Sequence, residues 1–569
     1  MTSSQSSPTK NPPDSRAQPA YPPIRELAPF PSAWKSLGAA FVDQARRSWG
    51  RPAIHDSTGA SLTYGQTLIR ALVLGRVLER KVGPGDRVGL MVPPTAPAAV
   101  ANLAITLLGK VPVNLNYSAS QTLVNSSIDQ AGITHTVTSA KVLDRFKIRP
   151  KGELVFLEDL PGQVTLIDKM LGAFLARLAP LPLLRHFAPG AGAVAAGAEA
   201  TVIFTSGSTG DPKGVVLTHH NILANVMQIE EQVHLAPDEV LLGVLPFFHS
   251  FGFTVTIWTA LCLGKKVVYH LSPLDGRMVG KLCDQHKVTL LVASPSFARL
   301  YMKSGQPEQF RTITHLILGA EKLKPDLARE IKETLGIEPL EGYGCTELSP
   351  VVAVNVPFDV ETADGRRIPG NRPGTVGQPV PGTAIKTIDP ETSADLPRGA
   401  EGIVCVRGPQ VMAGYLNRPQ ATAAVIRNGW YATGDLGRVD DDGFLKITDR
   451  VSRFSKVAGE MVPHLGLEAA IAAAAGVDEQ LLVVTGVPDH KRGESIRVVH
   501  VDLGLTPAEI LKRLGAANLP KVWIPSANDF IRVDEIPLTA TGKVDLRKIK
   551  EIALQDASEH QGATQTEPA

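Results

Sequence analysis

The sequence predicts an α/β fold: a large N-terminal domain of layered, largely parallel sheets and helices, followed by a small α+β C-terminal domain. Short runs rich in β-branched residues alternate with helix-period patterns along most of the chain, as in parallel sheets with crossover helices. The length, 569 residues, exceeds what one ordinary core serves. Near Asp449 and Arg450 the alternation gives way to a shorter α+β pattern.

Taken in order, residues 1–30 are rich in Pro, Ser and Gln and predict a disordered arm without the apolar core of a secretory signal. Phe41 to Val82 reads as helix, short strand and helix, Arg87 to Val92 as a buried strand, and Ala98 to Gly109 as an apolar helix. In Leu166 to Phe187, the residues Ile167, Met170, Leu171, Phe174, Leu175 and Leu178 share one helical face, and Pro180 ends the pattern. That face suits either packing on its own domain or contact with a lipid interface. Pro189 to Ala200 reads as a small-residue linker.

Leu241 to Gly264 contains no Lys, Arg, Asp or Glu and has the length of a membrane span, but Pro246, His249, Ser250 and its glycines interrupt it. Buried core plus a functional loop is the expectation. Val288 to Val292 and His315 to Leu318 read as strands, with helices after Pro295 and over Asp326 to Leu335. Beyond the junction, Gly466 to Ala475 is a helix, Leu481 to Val487 a strand, and the polar residues from Ala557 a disordered tail. The expected division is therefore 1–30, 31–449, 450–556 and 557–569.

Composition narrows the function. A net charge of +2, with no basic stripe, argues against nucleic acid. The four cysteines have neither metal-ligand nor disulfide-framework spacing, which predicts a reducing, cytoplasmic setting, with the inner membrane surface as a peripheral alternative.

The most informative stretch is TSGSTGDPKG at 205–214, directly after the apolar run Thr201 to Phe204. Glycines allow close backbone approach to oxyanions, hydroxyls donate, and a lysine adds mobile positive charge, so strand, loop and the helix after Thr218 suit phosphate binding. A Walker A loop would need GxxxxGK followed by Ser or Thr. Asp211-Pro212 separates Gly210 from Lys213, and Gly214 follows the lysine. A plain flexible linker leaves the preceding strand and the terminal Pro-Lys-Gly unexplained.

This loop resembles the phosphate loop of the adenylate-forming superfamily: acyl-CoA synthetases, luciferases and peptide-synthetase adenylation domains. Further motifs follow in family order between about Phe41 and Lys550: Gly342-Tyr343-Gly344-Cys345-Thr346-Glu347, Thr433-Gly434-Asp435, Arg450, Gly486-Val-Pro-Asp489 with Gly493-Glu494, and Pro537 to Lys543. The resemblance implies that ATP and a carboxylate form an acyl-adenylate, that Mg²⁺ assists, and that the C-terminal domain rotates before a thiol displaces AMP. It implies that Thr205, Ser206, Gly207, Ser208, Thr209, Gly210 and Lys213 cradle the β- and γ-phosphates. Glu347 would hold the metal, Thr346 touch the α-phosphate, Asp435 accept from the ribose hydroxyls, and Arg450 contact the ribose or the phosphates. Gly319, Ala320, Glu321, Glu341, Gly342 and Tyr343 would wall the adenine slot. Lys543 would bridge the α-phosphate and carboxylate, and His249 would sit beside the acyl pocket.

Ser452 and Arg453 depart from the family's usual hinge residues. The stretch RFSKVAGEMV at 453–462 resembles the acyl–acyl-carrier-protein synthetase half of a bacterial bifunctional enzyme that handles long-chain fatty acids. Its acyltransferase half carries HxxxxD. The match here, His270 to Asp275, falls inside the synthetase region and is read as chance. The resemblance thus implies a medium- or long-chain fatty acid, with carrier protein slightly ahead of CoA as acceptor. Two alternatives stay open: an enzyme that adenylates another acid and loads a carrier or stops at acyl-AMP, and an inactive acyl-nucleotide-binding homologue.

Overall fold

The computed structural model describes residues 24–83, 85–205, 212–362, 365–450, 453–457, 460–489, 492–515, 519–520, 523–538 and 544–563. Residues 1–23 and 564–569, together with Ser206, Gly207, Ser208, Thr209, Gly210, Ser452 and Lys543, lie outside them.

Among the described residues, nine strands form the largest sheet. Its centre is parallel, in the order Pro339–Gly344, His315–Leu318, Leu290–Ala293, Val240–Gly243, Lys266–Tyr269, Pro52–Asp56. Leu290–Ala293 is buried along its whole length, which explains its unbroken apolar sequence. Antiparallel strands Val351–Val354 and Ser61–Thr63 flank this centre on opposite sides. A second, all-parallel sheet orders Val111–Asn114, Arg87–Leu90, His135–Thr138 and Glu153–Phe156. Further antiparallel sheets are built from Glu199–Thr205, Lys213–Thr218 and Gly414–Tyr415, and around Gly402–Arg407 and Trp430–Val439. The expected α/β class and its largely parallel sheets are what the chain adopts.

After Arg450 a small α+β domain builds its own sheet from Phe454–Val457, Glu460–Pro463, Leu482–Asp489, Gly493–His500 and Phe530–Arg532. Helix His464–Ala475 buries Leu467 and Ile471 against Val484 and Val498 in a core separate from that of the large domain. Arg453 is buried here: its guanidinium pairs with Glu468 and donates to the Val484 carbonyl at 3.3 Å. Its departure from the usual hinge residue thus serves the interior of the small domain.

Three expectations are corrected. The stretch at 189–200 is no free linker: Ser36 Oγ donates to the Gly190 carbonyl at 2.7 Å, and a Cβ on Gly190 would lie 1.8 Å from the Thr106 carbonyl oxygen. Its small residues are there for close packing. Residues 24–30 of the expected arm are fastened to the large domain, where the Arg25 guanidinium donates to the Gln232 side chain and the Pro379 carbonyl. Helix Leu546–Ala563 continues past Ala557, where a disordered tail was expected.

Leu241 to Gly264 is interior. Leu242, Phe247, Phe253, Ile257 and Trp258 are fully buried, and Phe251–Thr259 winds as a π-helix. No helix of the described residues is long and apolar enough to cross a membrane.

Candidate active site

The two ends of the glycine-rich loop are neighbours. Glu199–Thr205 and Lys213–Thr218 pair antiparallel, with Thr205 opposite Lys213. The lysine therefore opens a strand, and the expected strand–loop–helix order becomes a hairpin followed by a helix. That helix, His219–Val233, starts where expected: the Thr218 hydroxyl accepts from Asn221 N–H and the Asn221 side chain caps in return. The Lys213 ammonium lies 5.3 Å from the centre of the Tyr415 ring. Tyr415 is held there because Gly414–Tyr415 extends the same sheet, pairing with Val216 and Val215.

Tyr415 Oη donates to Glu347 Oε1 at 2.9 Å. Burial pushes the Tyr415 phenol up, so its proton stays in place for that bond. Glu347 sits on the short turn Thr346–Leu348 after strand Pro339–Gly344, and its carbonyl accepts from Met412 N–H at 2.8 Å. Next to it, the buried Thr346 hydroxyl is 3.2 Å from Ser250 Oγ, which ties this turn to the loop carrying His249.

Asp435 is joined to Tyr343, in the strand that precedes the Glu347 turn. In strand Trp430–Val439, Gly434 takes a positive φ of 75°, and Asp435 N–H donates to Thr433 Oγ1 at 3.0 Å. Asp435 faces Arg450 across the antiparallel ladder, and Arg450 Nε is 2.9 Å from Asp435 Oδ1. Asp435 Oδ2 accepts from the Tyr343 hydroxyl. Among the described residues these two bonds use two of the carboxylate's four lone-pair directions, and the geometry of a carboxylate suits it to accept from a ligand's hydroxyls. Asp435 raises the Arg450 guanidinium further above its ordinary value, while burial raises the Tyr343 phenol.

The remaining residues cluster at the carboxyl ends of the parallel strands, the usual ligand side of such sheets. Gly319 follows strand His315–Leu318, and a Cβ there would lie 3.2 Å from the Gly342 carbonyl oxygen, so two backbone walls stand close. Ala320 adopts φ +72°, an uncommon conformation for a non-glycine residue. The Glu321 carboxylate accepts from Ser296 Oγ at 2.7 Å, and buried Glu341 accepts from Leu323 and Gly374 N–H, both at 3.3 Å. Both carboxylates brace the backbone around them; burial pushes Glu341 up from its ordinary value. A cavity beside them is lined by Leu245, Pro246, His249, Phe251, Phe297 and Ala320. His249 Nδ1 accepts from Phe251 N–H at 3.3 Å.

Sequence reasoning missed Tyr415 and Ser250 as site members. Ser250 adjoins His249, so proximity pointed to it. Tyr415 carried no signal, because its role depends on a strand pairing distant in sequence. His270 and Asp275 lie 3.7 Å apart, with His270 Nδ1 2.8 Å from Ser57 Oγ, at strand Lys266–Tyr269. Among the described residues no group of three or more His, Cys, Asp or Glu side chains is placed to hold a metal. A lone carboxylate such as Glu347 fits Mg²⁺, which takes its other ligands from phosphates and water. Burial, with the Glu347 and Asp435 carboxylates nearby, pushes the neighbouring Cys345 thiol well above its ordinary value.

A family profile described as AMP-binding enzyme matches residues 41–416. A long-chain-fatty-acid–CoA ligase of Bacillus subtilis (strain 168) is 28% identical over 561 residues, spanning 92% of this chain and 95% of its own. 4-Coumarate–CoA ligase 5 of Oryza sativa subsp. japonica is 30% identical over 510 residues, spanning 87% and 90%. The crystal structure of ATP-bound MatB from Rhodopseudomonas palustris superposes with a TM-score of 0.74 at 26% identity, over 91% of this chain and 98% of that one.

Proposed function

The chain belongs to the AMP-binding enzyme family, and from that membership we propose that it is an ATP-dependent ligase joining a medium- or long-chain fatty acid to the thiol of CoA. The observation that carries the reading is that Asp435 holds Arg450 and Tyr343, while Tyr415 joins Lys213 to Glu347, with Tyr343 and Glu347 four residues apart along one strand and turn. In this reading the ribose lies at the first group and the triphosphate at the second.

In the first half-reaction a carboxylate oxygen of the acid forms a bond to the α-phosphorus of ATP, and the bond to the β-phosphate oxygen breaks. Pyrophosphate leaves and acyl-AMP remains. Charge spreads over phosphoryl oxygens, so these side chains act by positioning and electrostatic stabilisation. Asp435 accepts from the ribose hydroxyls, with Arg450 alongside. Thr205, Lys213 and the loop residues Ser206 to Gly210 hold the β- and γ-phosphates, and Thr346 faces the α-phosphate. Glu347 would hold Mg²⁺, which would neutralise phosphate charge. Gly319, Ala320 and Gly342 offer the adenine their backbone walls, with Glu321 and Glu341 bracing them. The cavity at His249 receives the start of the acyl chain.

Lys543 supplies the ammonium that bridges carboxylate and α-phosphate, and Lys543→Ala costs adenylation on the order of 10²-fold or more. In the second half-reaction the thiol sulfur attacks the acyl carbon and AMP departs. Residues 450–556 form the mobile domain that exchanges Lys543 for the thiol between the steps.

The relatives named as CoA ligases support CoA as acceptor. The 453–462 stretch supports an acyl-carrier protein as the alternative. The 4-coumarate–CoA ligase at 30% identity supports a second reading, in which the acid is aromatic. A panel of fatty and aromatic acids, crossed with CoA and pantetheinylated carrier protein and scored for AMP release, tests all of these. Failure of every acid to promote exchange of pyrophosphate into ATP would sink the enzymatic reading and leave an acyl-nucleotide-binding homologue.

A further inference from the structure

The helical hairpin of Leu166–Arg177 and Leu181–Phe187 is fixed to the large domain by a face that buries Asp168, Gly172, Leu175 and Ala176. Asp168 is buried and forms ion pairs with Arg76 and Arg80, each at 3.0 Å, on helix Tyr64–Glu79 and at its C-terminal end. Gly172 lets the two helices approach, since a Cβ there would lie 2.5 Å from Val73 Cγ2. At the far end the Arg46 guanidinium donates to the carbonyls of Leu175, Ala176 and Ala179, each at 2.9 Å. The hairpin is therefore held in one orientation at both ends.

That orientation buries Leu175 and packs Leu171 against the domain core, and turns the rest of the apolar stripe outward. Leu166 is 72% exposed, Ile167 70%, Met170 66% and Leu178 72%, and Phe174, Leu181, Leu183 and Phe187 are exposed as well. Of the fourteen exposed large hydrophobic residues among those described, eight belong to this hairpin, so the patch is concentrated rather than scattered. Between Val164 and Ala193 the basic side chains are Lys169, Arg177, Arg185 and His186, and the single acid is the buried, paired Asp168. Arg177 also lies over the Trp49 ring, 4.9 Å from its centre.

We propose that this hairpin docks the protein on an anionic lipid bilayer, its exposed apolar residues entering the headgroup boundary and Lys169 and Arg177 meeting lipid phosphates. The charge pattern selects the occupant. A second copy docked face to face would set basic residues against basic residues with no exposed acid of the hairpin to pair them. A bilayer supplies both an apolar interior and negative charge, the combination such helices use. The inference rests on exposure and charge and is independent of the acid and thiol proposed above.

The full-length protein is co-sedimented with vesicles of phosphatidylcholine alone and of phosphatidylcholine with phosphatidylglycerol. Binding is expected to the anionic vesicles, weaker by roughly fivefold for each basic side chain removed. Met170→Asp with Phe174→Asp is expected to abolish it while leaving the melting temperature unchanged, and Lys169→Gln with Arg177→Gln to weaken it on anionic vesicles. The proposal is overturned if the unmodified protein stays in the supernatant with both vesicles, or if the apolar double variant still sediments. It is equally overturned if the protein is a dimer that this variant splits, which would assign the face to a second copy.

Discussion

Tyr415 Oη donates to Glu347 Oε1 at 2.9 Å, while the same ring lies 5.3 Å from the Lys213 ammonium. One side chain thus positions the proposed metal ligand and the phosphate-loop cation together. Tyr415→Phe keeps the ring under Lys213 and removes the hydrogen bond to the carboxylate. Hydrogen bonds to charged groups contribute about 1.5–3 kcal/mol, so adenylation should fall by about tenfold or more. The Mg²⁺ concentration for half-maximal pyrophosphate exchange should rise with it. Tyr415→Ala should be worse, since the cation loses its aromatic face as well. Unchanged Mg²⁺ dependence in Tyr415→Phe would remove Tyr415 from the site.

Asp435 holds Arg450 with one oxygen and the Tyr343 hydroxyl with the other. Asp435→Asn keeps the shape but leaves Arg450 without its counter-charge and gives Tyr343 a poorer acceptor. The KM for ATP should rise by roughly 10- to 100-fold, as loss of a charged hydrogen-bonding partner implies. The melting temperature should move by a few degrees at most, because Arg450 is half-exposed at the site's edge. An ATP titration of the steady-state rate decides it; a KM within error of the parent would exclude Asp435 from the nucleotide site.

The strands of the large sheet were legible because a strand buried on both faces, such as Leu290–Ala293, has to be apolar throughout. The site motifs were legible because Thr433-Gly434-Asp435 and Gly342 to Glu347 are contiguous. Two kinds of information were not. Small residues at 189–200 read as a linker, yet the same composition serves close packing, and only the approach of Thr106 to Gly190 distinguishes them. The stripe of Leu166–Arg177 was visible as a period, but the outward direction of most of it was set by Gly172 and Asp168 on the buried face. Arg453 read as an anomaly of the hinge until its partner Glu468 stood beside it.

Gly190 makes that difference measurable. An alanine there would put Cβ 1.8 Å from a backbone oxygen, which no rotamer change relieves. Overpacking against rigid surroundings costs about 1–3 kcal/mol and occasionally more, and Gly190→Ala should fall at or above the upper end. Denaturant unfolding of the large domain reports it. A loss below about 0.5 kcal/mol, typical of an exposed linker, would restore the linker reading.

Asp478 joins the two domains across their interface. It pairs with Lys324 at 2.6 Å and with Arg299 at 3.3 Å, while Arg299 also donates to Gln480 at 3.2 Å. Burial pushes its carboxyl up, but Lys324, the Gln480 N–H and Arg299 together bring it down to about 2. Half-exposed pairs of this kind contribute under about 1 kcal/mol each, a strength compatible with the domain rotation proposed above. Asp478→Lys should therefore undock the small domain without unfolding it. Limited proteolysis near residues 450–453 should accelerate about threefold to fivefold, the equivalent of losing about 1 kcal/mol. An unchanged cleavage rate would show that the latch does not hold the domains.

Asp449 gives a pH signature beside the same junction. Burial pushes its carboxyl up from 3.8 to about 6, and the Arg450 N–H, which donates to Oδ1 at 2.7 Å, offsets only part of that rise. A carboxyl raised on folding binds its proton more tightly in the native state, so stability declines as pH rises from about 4 through about 6 and then levels. The amide introduced by Asp449→Asn would mimic the neutral acid and still accept from Arg450 N–H. The parent and this variant should accordingly melt together near pH 4, and the variant should be the more stable above pH 6. Melting temperatures of both proteins across that range test the sign: a gap that stays constant with pH, or opens in favour of the parent, would mean that Asp449 is ionised without cost in the folded chain.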